Sequence, residues 1–249
     1  MDNRNTRREH GRAVSEGAAA KNVNLLRQID VSIAAAFDRF FGDNVEVVPQ
    51  ALTSVERALI LFGLFSAHGD EEDIRACGSL ALNAGAAPEA VLEVVLTATI
   101  SRGPRALSIS RRFLSELAFV SLGGGDSTNA DPITYLKSEF STVPNWAKSL
   151  AEFSPALLAD YTTLREHILC EGASRRRTKE LLTMALNAIG GNRSGVVSHA
   201  DAALLHGAEV AHLLEALLLA VRVGGIIAWI TGMETIDHLV SATRQPLSD

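Results

Sequence analysis

The chain has 249 residues, of which 47% are apolar and 21% charged, with a net charge of −6. That length makes one large domain or two of about 100–125 residues, and the apolar share excludes a disordered chain. An acidic balance with scattered arginines argues against a nucleic-acid partner, and two cysteines, Cys77 and Cys170, cannot staple a disulfide scaffold.

Aromatic residues are scarce while Ala and Leu abound, a bias toward helices packed with small and aliphatic side chains. Residues 1–22 carry several charges and no apolar run of signal-peptide length, so they read as a mobile tail of a cytoplasmic protein. Leu25, Ile29, Ile33, Phe37 and Phe40 recur at steps of four and three, which predicts a first helix ended by Gly42. Leu59, Phe62, Leu64 and Phe65 mark the next, with Thr53 or Ser54 as its N-cap. Asp70, Glu71, Glu72 and Asp73 read as a solvated helix N-terminus, because negative charge is favourable there and no oxygen-ligand loop pattern points to a metal. Cys77 follows in a helical stretch and reads as a buried, inert hydrophobe.

The stretch SLGGGDSTNADP, residues 121–132, disfavours any regular element. It lacks the GxGxxG spacing of a nucleotide loop and reads as a linker. The most apolar stretch, residues 213–230, contains Glu215, Arg222 and the pair Gly224-Gly225. Charges at a bilayer centre cost a few kcal/mol, so two buried helices with a break, lying at an oligomer interface, are expected rather than a membrane span.

The two sides of the linker resemble each other. Gly85-Ala86 aligns with Gly207-Ala208, Glu93 with Glu215 and Gly103 with Gly225, all at an offset of 122 residues. The shared unit is a helix closed by Gly, a second amphipathic helix, a Gly-marked break and a third helix. Pro88 stands where the first residue of a helix would. The expected organisation is a tail over 1–22, a degenerate helical repeat over 23–120, a linker over 121–132 and a second repeat over 133–249.

Within the second repeat, Pro155 to Tyr161, SRRRTKELLTMAL, SHADAALLHGA and the Leu-Leu-Glu-Ala-Leu-Leu run resemble the carboxymuconolactone decarboxylase and alkyl hydroperoxidase D family. The resemblance covers residues 154–229 well and residues 52–118 more loosely. It implies an all-α fold of two tandem repeats and a homo-oligomer, with trimer expected because a double-length subunit would build the family's six-unit ring. The family includes cofactor-free decarboxylases and thiol-dependent peroxidases. The peroxidase signature is a Glu, a CxxC pair and a His; on this chain it falls on Glu180, Asn192, Gly195 and His199. The dithiol is absent, and with it the sulfurs that peroxide reduction requires. The corresponding positions in the first repeat are Ala58, Asp70, Asp73 and Cys77, so that copy has lost every signature residue.

Helix geometry allows the two residues that the resemblance singles out, Glu180 and His199, to meet. If one helix ends near Ile189 and an antiparallel one begins near Ser194, the two side chains stand at similar heights on helices about 8–10 Å apart. A carboxylate beside an imidazole fixes its tautomer and raises its pKa. The bland alternative places Glu180 in the first turns of a helix, favoured by the dipole or paired with Arg176, and His199 as a structural residue. Asn192, Arg193, Ser194 and Arg176 are candidate substrate contacts, as is Trp229, for which simple packing is the better reading. Of Arg175, Arg176 and Arg177, one or two at most can face a pocket. His206 reads as a helix C-terminal cap and His212 as surface or interface.

These readings converge on a cofactor-independent, metal-free lyase or isomerase acting on a small carbonyl, carboxylate or lactone substrate, with Glu180 and His199 as catalytic acid–base pair. The alternative is a catalytically degenerate family member that binds a small molecule or serves assembly. Residual thiol chemistry at Cys77 or Cys170 is a weaker third reading.

Overall fold

The computed structural model describes residues 18–41, 50–118, 131–140 and 142–244, which form thirteen helices and no strand. The first are α1 (Ala18–Ile29) and α2 (Val31–Phe41). A single helix was expected here; the break comes at Asp30, whose carboxylate accepts the N–H groups of Ser32 and Ile33 at 2.7 and 3.0 Å and so starts a new helix. Residues 18–22, expected in the tail, belong to α1; residues 1–17 and Gly42 lie outside the described residues.

The first repeat consists of α3 (Ser54–His68), α4 (Glu71–Asn83), α5 (Pro88–Arg102) and α6 (Arg105–Leu114). Thr53 caps α3 in a capping box with Glu56, and Asp70 does the same for α4 with Asp73. Pro88 opens α5, where its missing N–H leaves nothing unsatisfied. Then come α7 (Pro132–Glu139), α8 (Asn145–Phe153) and α9 (Pro155–Leu169). Most of the expected linker lies outside the described residues, but its end does not: Asp131 caps α7 through the N–H of Thr134 and Pro132 is the first helical residue.

The second repeat is α10 (Arg176–Ile189), α11 (Arg193–Leu205), α12 (Val210–Gly224) and α13 (Ile226–Arg244). The starts of α3, α4 and α5 recur at α10, α11 and α12 with the same offset of 122 residues. The turn glycines match as well. Gly85 and Gly207 have φ of +98° and +86°, Gly103 and Gly225 of +85° and +71°. A Cβ at any of the four would meet nothing, so the requirement for glycine is one of backbone conformation, not space.

The two repeats share one core. A single apolar cluster runs from Leu52 to Val240, and α3 packs against α10 at its centre, where Gly63 leaves room for the side chain of Leu182. Glu93 and Glu215, equivalent residues on α5 and α12, brace the repeats reciprocally. Glu93 accepts the N–H groups of Ala173 and Ser174 at 3.1 and 2.9 Å and pairs with Lys179 at 2.8 Å. Glu215 accepts those of Ala51 and Leu52 at 2.7 and 2.8 Å and the Nε of Arg57 at 2.7 Å. Each carboxylate satisfies donors at the entry to the other repeat's central helix, the end that attracts negative charge.

Helices α7, α8 and α9 carry a smaller cluster around Tyr135, Leu136, Val143, Ala147 and Leu158. No helix among the described residues is long and apolar enough to cross a membrane, and the apolar stretch 213–230 divides at Gly225.

Candidate active site

Helices α10 and α11 are joined by a tight turn at Gly190, Gly191 and Asn192, with Gly191 at φ +70°. Asn192 caps α11 by accepting the N–H of Gly195 at 3.2 Å. So short a connection folds α11 back along α10 and turns His199 toward Glu180.

The Nδ1 of His199 lies 2.6 Å from Oε2 of Glu180, which is fully buried. Its other oxygen accepts Nε of Arg176 at 2.7 Å and lies 3.7 Å from the guanidinium of Arg165. Arg165, from α9, is likewise fully buried; it donates to Tyr135 Oη at 2.8 Å and to Glu139 at 2.7 Å, and Arg176 also pairs with Glu139. The ring of Phe140 stacks under Arg165 at 4.9 Å and presents its edge to His199 at 6.1 Å.

Burial alone would push the Glu180 carboxyl up, but the hydrogen bond and charge of His199, joined by Arg165 and Arg176, outweigh it and hold the group well below the usual carboxylate range. An ionised Glu180 can only accept, so the shared proton sits on Nδ1 of His199 and Nε2 remains as the working nitrogen. Burial also raises the phenols of Tyr135 and Tyr161, which therefore stay uncharged at neutral pH.

His199 borders a cavity of about 320 Å³. Tyr161 and Arg165 form one wall, and Thr183, Asn187, Asn192, Ser194 and Ser198 another. Pro144 and Trp146 close the side next to α8, while Ile100 and Ser101 come from the first repeat. The space suits a small molecule, and its lining is mixed, with the hydroxyl and amide groups of α10 and α11 beside the apolar Ile100, Pro144, Trp146 and Leu169.

Of the residues singled out from sequence, Glu180 and His199 meet as expected, and Asn192 and Ser194 line the cavity. Arg193 does not; it points outward and pairs with Glu234 on α13, because the first turn of α11 faces solvent on that side. Arg176 stands behind Glu180 and away from the cavity, and Arg177 reaches across the repeats to Glu56 at 2.8 Å. Arg175 is exposed. Trp229 packs against the main core rather than walling the cavity. His206 is the C-cap of α11, as read; His212 is buried instead of superficial, its Nδ1 accepting the N–H of Glu209 at 3.0 Å.

Arg165, Tyr161, Trp146 and Glu139 were not anticipated. Tyr161 and Arg165 stand four apart on α9, a spacing that puts both on one face, and that was the available signal. Glu139 and Trp146 gave none, since the packing of α7 and α8 onto the site is a long-range matter. In the first repeat the equivalents hold no acid–base pair: Ala58 and Cys77 are buried in the core, and Asp70 and Asp73 form the capping box of α4.

Comparison with known proteins places residues 155–237 under the sequence model of the carboxymuconolactone decarboxylase family. That segment belongs to the carboxymuconolactone decarboxylase family. It contains Tyr161, Arg165, Glu180 and His199. The fold extends beyond it: a crystal structure from Burkholderia xenovorans, provisionally assigned as a gamma-carboxymuconolactone decarboxylase subunit, superposes with a TM-score of 0.58 over 98% of both chains at 20% identity. A search of curated proteins gave no match. Where the peroxidase branch of the family resembled in the sequence carries its two cysteines, Asn192 donates to Asn187 Oδ1 at 2.7 Å, and a side chain at Gly195 would collide with the Asn187 amide.

Proposed function

We propose that the protein is a cofactor-independent lyase or isomerase of the carboxymuconolactone decarboxylase type, acting on a small carbonyl, carboxylate or lactone substrate. The observation that carries this reading is the 2.6 Å contact between Glu180 and His199 at the edge of an open cavity with a mixed polar and apolar lining. Glu180 orients the ring, and Nε2 of His199 exchanges protons with the substrate.

In a decarboxylation of a 3-oxo acid, the bond to the departing CO₂ breaks and its electron pair passes into the carbonyl as an enolate. Arg165 and the hydroxyl and amide groups of the wall stabilise the developing charge. Nε2–H of a protonated His199 then delivers its proton to the enolate carbon, and water restores it. In an isomerisation the neutral Nε2 instead removes a proton beside the carbonyl and returns it to another carbon. The dithiol being replaced by Asn192 and Gly195, peroxide reduction by the family's thiol route is not part of the proposal. A cytoplasmic homotrimer, with the six repeats arranged as a ring, completes it.

Turnover of a panel of small 3-oxo acids, carboxylated lactones and enols tests the reading. Wild-type protein is expected to consume at least one, and Glu180→Gln and His199→Ala to lower kcat by about 10²–10⁴-fold. Activity that survives both changes removes the pair from the mechanism. Tight binding of a panel compound without turnover favours a binding protein instead.

A further inference from the structure

Glu139 is the last residue of α7, outside the family-matched segment, yet it reaches both guanidinium groups that hold Glu180. Behind the imidazole stand two buried cations, Arg165 and Arg176, and two anions, the buried Glu180 and the partly exposed Glu139, with the neutral phenols of Tyr135 and Tyr161 beside them. Glu180 alone cannot offset two guanidinium groups. Without a second carboxylate the imidazole would face a net positive charge.

We propose that Glu139 is a positioning residue that acts through Arg165 and Arg176: it completes the charge balance behind His199, so that the imidazole can carry a proton while Glu180 stays committed to it. The inference extends the acid–base reading above but is measurable without a substrate. Other charges also lie near the site. Glu166 shares the outer cleft with Glu139 and Arg176, Glu171 accepts the backbone N–H of Arg176 from an exposed position, and Arg193 and Glu234 neutralise each other between α11 and α13. Lys179 is engaged by Glu93 across the repeat interface.

The geometry also makes the balance depend on α7. Helices α7 and α8 each pack on α9 in a small apolar cluster, and this sets Glu139 and Phe140 against Arg165 and Trp146 against Tyr161. The segment that closes one side of the cavity thus also supplies the balancing carboxylate.

The test is an NMR titration of the His199 ring in the full chain, comparing wild type with Glu139→Gln and with the double variant Glu139→Gln/Arg176→Gln, each checked for an unchanged fold by its amide spectrum. A unit charge within about 10 Å at an effective dielectric near 20 moves a pKa by on the order of one unit. Glu139→Gln is expected to lower the His199 pKa by roughly that amount, and removing one cation in the double variant to bring it back toward the wild-type value. A His199 pKa that Glu139→Gln leaves in place, or a double variant that falls further, overturns the proposal. Such a failure leaves the acid–base function standing, whereas a shifted pKa in a protein that turns over no substrate leaves this inference standing and removes that function.

Discussion

A carboxylate with no exposed surface, held by Arg165, Arg176 and His199, supports the fold only while it is ionised. The folded-state pKa of Glu180 is depressed relative to the unfolded chain. Its contribution is therefore fully present above the unfolded value, near 4.3, and is lost as pH falls through the folded one. Glu180→Gln is expected to lower stability at pH 7 by about 3 kcal/mol, since it leaves buried guanidinium groups uncompensated. Urea unfolding should show the gap between wild type and variant narrowing as pH drops below about 4; a gap that widens on acidification contradicts the charge assignment. At this scale the sequence was informative where a spacing brings two residues together locally. Glu180 and His199 could be placed across a short helix turn, and Asn192 and Ser194 at the start of the following helix. Arg193 sits between those two, but helical geometry sends successive side chains in different directions, and only the folded chain shows which of them face the cavity.

Among the helices, the reciprocal contacts of Glu93 and Glu215 are the clearest physical consequence of the repeat. Their alignment was legible as a coincidence of position; that each reaches into the opposite repeat was not, because the contacts join residues 80 positions apart in one case and 164 in the other. The two braces are not equal. Lys179 is 1% exposed whereas Arg57 is 31% exposed, so water can replace Glu215 at Arg57 but cannot replace Glu93 at Lys179. Glu93→Gln is expected to cost about 3 kcal/mol and Glu215→Gln about 1–2 kcal/mol in chemical denaturation. Equal losses would show that solvent access does not decide the difference. The break at Asp30 escaped the periodicity argument for a related reason: apolar residues continue in step through it, and a single side chain capping Ser32 and Ile33 outweighs the pattern.

For the whole molecule, the shared core makes the two repeats one body, which the 249-residue length left open. The proposed trimer belongs to this scale. Ile226, Ile227 and Ile230 on α13 are exposed by 54%, 50% and 42%, an apolar strip that a subunit contact would cover. Sedimentation should give a species three times the mass of the 26.5 kDa chain, and Ile226→Glu/Ile230→Glu should reduce it to monomer. A wild-type monomer at micromolar concentration contradicts the ring. The cavity draws Ile100 and Ser101 from one repeat and the imidazole from the other, so the degenerate copy still shapes the site even though Ala58 and Cys77 stand in it where the second has Glu180 and His199.

The most direct measurement on the acid–base pair is exchange of solvent deuterium into the carbon beside the carbonyl of small oxo acids, followed by NMR. Wild-type protein is expected to catalyse the exchange, the outward-facing Arg193→Ala variant to match it, and Glu180→Gln and His199→Ala to lose at least about a hundredfold. Exchange that proceeds at the wild-type rate in His199→Ala would contradict the account.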